Sequence, residues 1–179
     1  MTHGTTLVAT TLFLVWSVVA SAEGVAPSPK LSETDVKAIR ATVNDIRATI
    51  IAGNVKSLLV HISQNEGLAC TDTQYSYTEA KAFLQDSNSA FYMSLFDTAK
   101  FRKECGSGYP PDYPAISEKE FFKTANQEVS IEAINTNWVK VTIRSPIKSH
   151  YERWLYLHRE GSVWRVGGGS FIIGNCTCG

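Results

Sequence analysis

The sequence predicts an α+β fold, with N-terminal helices packed on a C-terminal antiparallel sheet of about four strands. Three observations carry that expectation. Apolar residues recur at helical spacing through the first two-thirds of the chain. From Val129 onward the spacing changes to alternation. The alternating runs are joined by short connections, which suit neighbouring antiparallel strands rather than crossovers through helices.

Before any element comes an export signal. Leu7 to Ala20 is an apolar run, followed by the small-x-small pattern Ala20-Ser21-Ala22 and then Glu23. An apolar stretch for the translocon, then small side chains that fit the peptidase, is how a secretory signal peptide is built. The segment before Leu7 departs from the usual pattern in having no Lys or Arg. A run of about 14 apolar residues falls short of the roughly 20 that a spanning helix needs, so no stable membrane span is expected after cleavage. Residues 1–22 are therefore read as a signal peptide cleaved after Ala22, and the protein as secreted or periplasmic. Residues 23–31, with Pro27 and Pro29, form an extended leader. Residues 32–179 form a single α+β domain.

Ser32 offers an N-cap, with Glu33 and Asp35 in the first turn to suit the helix dipole. Val36, Ile39, Val43, Ile46 and Ile50 follow as one stripe on a core-facing helix. Gly53 ends it, and Asn54 caps a second helix carrying Val55, Leu58, Leu59 and Ile62. Ser76-Tyr77-Thr78-Glu79 is a capping box before Ala80, Phe83 and Leu84. One further helix is expected to hold Tyr92, Leu95, Phe96 and Ala99, with Lys100, Arg102 and Lys103 in its last turn and Gly106 after it. Ser117-Glu118-Lys119-Glu120 reads as a second capping box, ahead of Phe121, Phe122 and Ala125. The first two-thirds of the chain is thus expected to be helical throughout.

The four strands follow. Val129, Ile131 and Ala133 alternate, as do Val139, Val141 and Ile143. Tyr151 to His158 is bulky on both faces, and Val163-Trp164-Arg165-Val166 follows the turn at Glu160-Gly161-Ser162. Gly167-Gly168-Gly169 precedes no expected helix, so it reads as a bend in the sheet rather than a phosphate loop.

Long amphipathic helix, further helices, then a twisted antiparallel sheet with the hairpin Trp154-Leu155-Tyr156-Leu157 to Val163-Trp164-Arg165-Val166: this order resembles the nuclear transport factor 2-like superfamily, the cystatin-like α+β cone. The resemblance covers most of the mature chain at the level of element order. It implies a curved sheet wrapped around the first helix, with a pocket between them. The superfamily holds ketosteroid-isomerase-like enzymes and many non-catalytic binding modules, so the fold does not give the function. No catalytic motif of the family maps onto this sequence, and no catalytic residue is carried over. The helical material between residues 76 and 126 departs from the shortest members.

Lys and Arg total 17 against 17 Asp and Glu, a zero net charge that argues against a nucleic-acid binder. From Trp138 onward six bases face two acids, which leaves +4 there and −4 in the rest. That skew leaves room for an anion or an acidic partner on the sheet.

Cys70, Cys105, Cys176 and Cys178 are four cysteines in an exported chain, and are read as disulfides with three possible connectivities. A Cys176–Cys178 bridge would need an unusual tight turn, so each is expected to pair with one of Cys70 and Cys105. The CxxC spacing of a zinc site is missing, so no metal or other cofactor is expected. Cys105-Gly106-Ser107-Gly108-Tyr109 has Gly108 where a papain-like segment needs its nucleophile. No HExxH or GxSxG motif exists, and His61, His150 and His158 share no ligand spacing. Leu155 and Leu157 are expected to face the core, leaving Trp154, Tyr156 and Trp164 on the opposite face beside Arg153 and His158. Exposed aromatics beside bases suit an interface. Tyr109 and Tyr113, in the Gly/Pro/Tyr loop from Gly106 to Pro114, are further candidates.

The sequence therefore points to an exported, non-catalytic binding or protein-interaction module for a small ligand or protein partner, with a homodimer through the sheet as one form. The alternatives are a small cone-pocket enzyme of isomerase or hydratase type, and an inhibitor or immunity-type protein acting through the Tyr-Pro loop and the sheet. An inward carboxylate or histidine would favour the enzyme. An interior filled by aliphatic side chains would argue against it.

Overall fold

The computed structural model describes residues 29–70, 73–106, 115–148, 150 and 152–168. The signal segment, the loop over 107–114 and the tail from 169 lie outside those residues. So do the side chains of Cys70 and Cys105, and with them the expected disulfides to Cys176 and Cys178.

The longest helix, α1 (Glu33–Ala52), starts where the Ser32 hydroxyl oxygen accepts the Asp35 backbone N–H at 3.0 Å. It stops where Gly53 turns left-handed at φ 69° and donates its N–H to the Ile50 carbonyl at 3.0 Å. Ile39, Val43, Ile46 and Ile50 are 0–4% exposed, so the stripe read from the sequence is the core face of α1. Burying each such side chain is worth about 1.5–3 kcal/mol, far more than any propensity term in this helix.

Helix α2 (Val55–Val60) follows under the Asn54 cap, and Leu58 and Leu59 are buried. Beyond its last residue, His61, Ile62 and Ser63 run beside the final strand: Ser63 donates its N–H to the Val166 carbonyl at 2.7 Å. The chain then forms a feature that the helical reading did not contain, a small hairpin of β1 (Leu68–Cys70) and β2 (Thr73–Tyr75). Each strand has three residues, too few for alternation to be visible as a pattern. Gly67 at its base has φ 57°, and a Cβ there would lie 2.0 Å from the Tyr75 carbonyl oxygen. Only glycine fits without displacing backbone.

The capping box at Ser76 opens α3 (Tyr77–Gln85) as expected: Ser76 donates its N–H to Glu79 Oε2 at 2.8 Å, and Glu79 N–H returns to Ser76 Oγ at 3.3 Å. The single helix expected over residues 92–103 is instead two, α4 (Ala90–Phe96) and α5 (Thr98–Cys105). Asp97 breaks it, with φ −127° and ψ 86°, because its carboxylate accepts the Lys100 N–H at 3.0 Å and so caps a new helix. Helix α6 (Glu118–Lys123) also differs in detail. Ser117 Oγ accepts the Glu120 N–H at 3.3 Å, but the Ser117 N–H donates to Thr98 Oγ1 at 3.2 Å. The Glu120 carboxylate pairs with Arg102 at 3.4 Å. One half of the expected box is replaced by a tertiary contact to α5.

Four strands form the C-terminal antiparallel sheet: β3 (Glu128–Ala133), β4 (Trp138–Arg144), β5 (Arg153–Glu160) and β6 (Val163–Val166), in the order β3-β4-β5-β6. The fold is α+β, helices first and sheet last, as the change of period implies. β5 begins two residues later and ends two residues later than the Tyr151–His158 run. Val139, Val141, Ile143, Leu155, Leu157 and Val166 point to the helices and are buried. Their cluster contains the α1 stripe, Phe91 of α4 and Phe121 and Phe122 of α6. Arg47 adds a polar tie between helices: its Nε and Nη2 donate to the carbonyls of Phe122 and Thr124, both at 3.0 Å. A cation thus satisfies the last carbonyls of α6.

Chemical denaturation should separate packing from backbone strain. Ile46→Ala, at a fully buried position of α1, should destabilise by about 2–5 kcal/mol. Gly161 also has positive φ but nothing lies within 4 Å of a Cβ there, so Gly161→Ala should cost only the left-handed penalty of about 1–2 kcal/mol. Gly67→Ala should cost clearly more than Gly161→Ala. Equal losses at the two glycines would show that the Gly67–Tyr75 approach is not constraining.

Candidate functional site

The short turn between Glu160 and Val163 fixes the parity of the final hairpin, pairing Arg159 with Trp164 and Leu157 with Val166. Trp164 therefore shares a face with Leu157, not with Trp154, and it is 2% exposed. Its expected place on the outer face is corrected: it belongs to the core, with the Arg159 guanidinium 4.9 Å from its ring. Arg159 in turn pairs with Asp35 at the start of α1. Tyr109 and Tyr113 lie outside the described residues.

On the outer face the structure brings together Trp138, Lys140, Trp154, Tyr156 and His158, which alternate with the core residues of β4 and β5. Trp154 is 41% exposed; Lys140 Nζ sits 4.4 Å from its ring centroid, and its indole N–H donates to Glu152 Oε1 at 2.8 Å. That hydrogen bond lowers the Glu152 carboxyl pKa, with Arg144 at 2.9 Å adding to the effect. The His158 ring lies 4.7 Å from Trp138, and Trp138 in turn covers Gly167, where a Cβ would come within 3.3 Å of the indole. Cross-strand pairing opposes Lys140 with Glu132 and Arg144 with Glu128.

The basic surplus of the C-terminal third is largely neutralised by these and other pairs. Arg144 is held by Glu152, Arg153 by Glu118, Arg159 by Asp35 and Arg165 by Glu160. The positive face that the charge skew allowed is therefore not a free one.

Arg153, a candidate surface residue on sequence, is half-buried at the junction of sheet and helices. Its Nε donates to Glu118 Oε1 at 2.6 Å and its guanidinium lies 4.6 Å from the Phe121 ring. Glu118 is 7% exposed, and its second oxygen, Oε2, is buried with no hydrogen-bond partner among the described residues. Burial pushes its carboxyl pKa up, against the opposing pull of Arg153. His150 also lies near Phe121, ring centroids 6.2 Å apart. Burial lowers its pKa, the Arg153 charge lowers it further, and Glu120 opposes both.

A third place was not foreseen. An open groove of about 700 Å³ runs between α2, α3 and α4. Val55 and Leu59 line one bank from α2, with Lys56 beside them. Tyr77, Lys81 and Leu84 line the other from α3, where spacings of four and three put them on one helix face. Tyr92 of α4 contributes a phenol, and Arg165 of β6 closes one side. Arg165 is fixed there, with Nε 2.9 Å from Glu160 Oε2 and Nη1 donating to the Val60 carbonyl at the end of α2. Lys56 and Lys81 make no hydrogen bond or ion pair among the described residues, and no acidic side chain lines the groove. Sequence reasoning missed it because Val55 and Leu59 lie on the same apolar helix pattern as the buried Leu58 and Ile62. The visible signal was the Tyr77-Lys81 pair four apart on α3, but nothing in one chain says that Lys56 stands across from it.

No protein family, no curated protein and no solved structure matches this chain. No cluster of His, Cys, Asp or Glu that could hold a metal occurs among the described residues, and no described helix is long and apolar enough to cross a membrane.

Two buried-group effects of opposite sign should be visible in the pH dependence of stability. Burial lowers His61 below its ordinary 6.5, helped by Arg165 and opposed by Asp45, and it lowers His150 as well. Below 6.5 the unfolded chain then binds more protons than the folded one, so these groups reduce stability as pH falls. Glu118 is raised above its ordinary 4.5, so the folded chain holds that proton longer, and its contribution falls as pH rises. Melting temperatures should drop less steeply on acidification below pH 6.5 in His61→Gln than in wild type, and more steeply on acidification toward pH 4.5 in Glu118→Gln. Parallel profiles for the three proteins would contradict both assignments.

Proposed function

We propose that this chain is an exported, non-catalytic binding module that holds a small ligand in the groove between α2 and α3. The observation that carries the proposal is the groove itself: an open, largely apolar cleft with two unengaged lysines, of a size typical of ligand sites at about 300–1,000 Å³. The order of elements is in keeping with the nuclear transport factor 2-like cone, as the sequence resemblance implies. The interior, however, is filled: Ile39, Val43, Ile46 and Ile50 of α1 share one buried cluster with Val139, Val141, Leu155 and Leu157 of the sheet. An aliphatic interior supports binding over catalysis, because it offers no inward base. Glu118 is the one buried carboxylate among the described residues, and its charge is engaged by Arg153. The outer sheet face supports a protein contact less well, since most of its bases are already paired and a homodimer there would rest chiefly on Trp154.

Binding and export can be checked separately. A neutral environment-sensitive probe, N-phenyl-1-naphthylamine, should bind the purified protein saturably at one site. Val60→Trp, at an exposed position that lines the groove, should weaken that binding by about tenfold or more, while Trp154→Ala should leave it unchanged. Loss with Trp154→Ala alone would move the site to the sheet. Expressed with its own N-terminus in a secreting host, the protein should leave the cell starting at Glu23 and without free thiols by intact-mass alkylation analysis. An exported product retaining Met1, or one alkylated at four cysteines without reduction, would contradict the export and disulfide reading.

A further inference from the structure

We infer that the groove takes an amphipathic monoanion, an acyl chain ending in a carboxylate, with Lys56 and Lys81 receiving the head group. The inference rests on the groove being the binding site and adds the chemistry of its occupant.

The charge pattern carries it. Arg102, Arg144, Arg153, Arg159 and Arg165 each have an acidic partner. Lys56 and Lys81 come from two different helices, line the same cleft and have no such partner among the described residues. Two cations facing one cavity without a counter-ion repel each other, and an anion between them relieves that repulsion. The remaining walls specify the rest of the molecule. They are more apolar than polar, with the half-buried Val55 and the exposed Val60 on the α2 bank, so an anion without an apolar part would leave them wet. Tyr77 and Tyr92 add hydroxyls, which can donate hydrogen bonds to a carboxylate. A neutral chain would bury apolar surface but leave both ammonium groups without an anion. A cation would be repelled by Lys56, Lys81 and Arg165 together. The lysine stems can lie along the apolar walls while their heads reach the mouth.

The test uses the secreted protein and displacement of N-phenyl-1-naphthylamine by three ligands with the same chain: dodecanoate, dodecanol and dodecyltrimethylammonium. Dodecanoate should bind about tenfold more tightly than dodecanol, a ratio that corresponds to about 1.4 kcal/mol, and the cation should bind more weakly than either. The Lys56→Gln/Lys81→Gln protein should lose the ratio of dodecanoate to dodecanol affinity, and Lys148→Gln, at an exposed lysine outside the groove, should keep it. Equal affinities for dodecanoate and dodecanol, or a ratio that survives the double substitution, would overturn the inference while leaving a binding module in place. An alternating Glu-Leu decapeptide that displaces the probe better than dodecanoate would also overturn it, assigning the groove to a protein partner. Failure of the neutral probe itself to bind would remove both this inference and the binding-module reading.

Discussion

The packing of the α1 stripe on the inner face of the sheet is the constraint on which the other features depend. Ile39, Val43, Ile46 and Ile50 occupy one side of a helix because Ser32 and Gly53 set its ends, and every one of them is buried. The same buried cluster contains the alternate residues of β4 and β5, whose parity follows from antiparallel register. Two polar ties hold the same arrangement at its edges. Asp35 reaches Arg159 on β5, and Arg47 reaches the closing carbonyls of α6. With this interior filled by buried side chains, the open groove lies at the periphery.

Charge pairing narrows the periphery further. Net charge along the chain places a surplus of four positive charges in the last third, yet the arginines there meet Asp35, Glu118, Glu152 and Glu160. Two of those acids, Asp35 and Glu118, come from helices more than a hundred or some tens of residues earlier in the chain, so a local charge count does not register them. Two lysines without partners that face one groove, Lys56 and Lys81, lie in the acidic two-thirds, on α2 and α3. Where unpaired charge sits is decided by tertiary contacts, and local surplus is a poor guide to it.

Periodicity made much of the fold legible. The α1 stripe, the Ser76 capping box and the four-stranded meander all follow from local rules. The misses share a cause. Asp97 looks like one more polar residue on a helix until its side chain takes the Lys100 N–H. The Ser117 box loses a half to Thr98, nineteen positions away. Trp164 reads as outward only if the hairpin register is unknown. The β1–β2 hairpin depends on Gly67 passing close to Tyr75, a contact between residues that no period reveals. Of the candidate site, Trp154, Tyr156 and His158 were placed on one face correctly. The groove was not legible, because its banks are two helices whose mutual approach is a tertiary fact.

On the proposed reading, ligand lies outside the filled interior, in the groove between α2 and α3. Methyl-resolved NMR during titration with dodecanoate addresses this directly. The methyl signals of Val55, Leu59 and Val60 should shift while those of Ile39, Ile46, Val141 and Leu157 stay in place. Shifts confined to the second set would mean that the interior opens to ligand, and would contradict this reading.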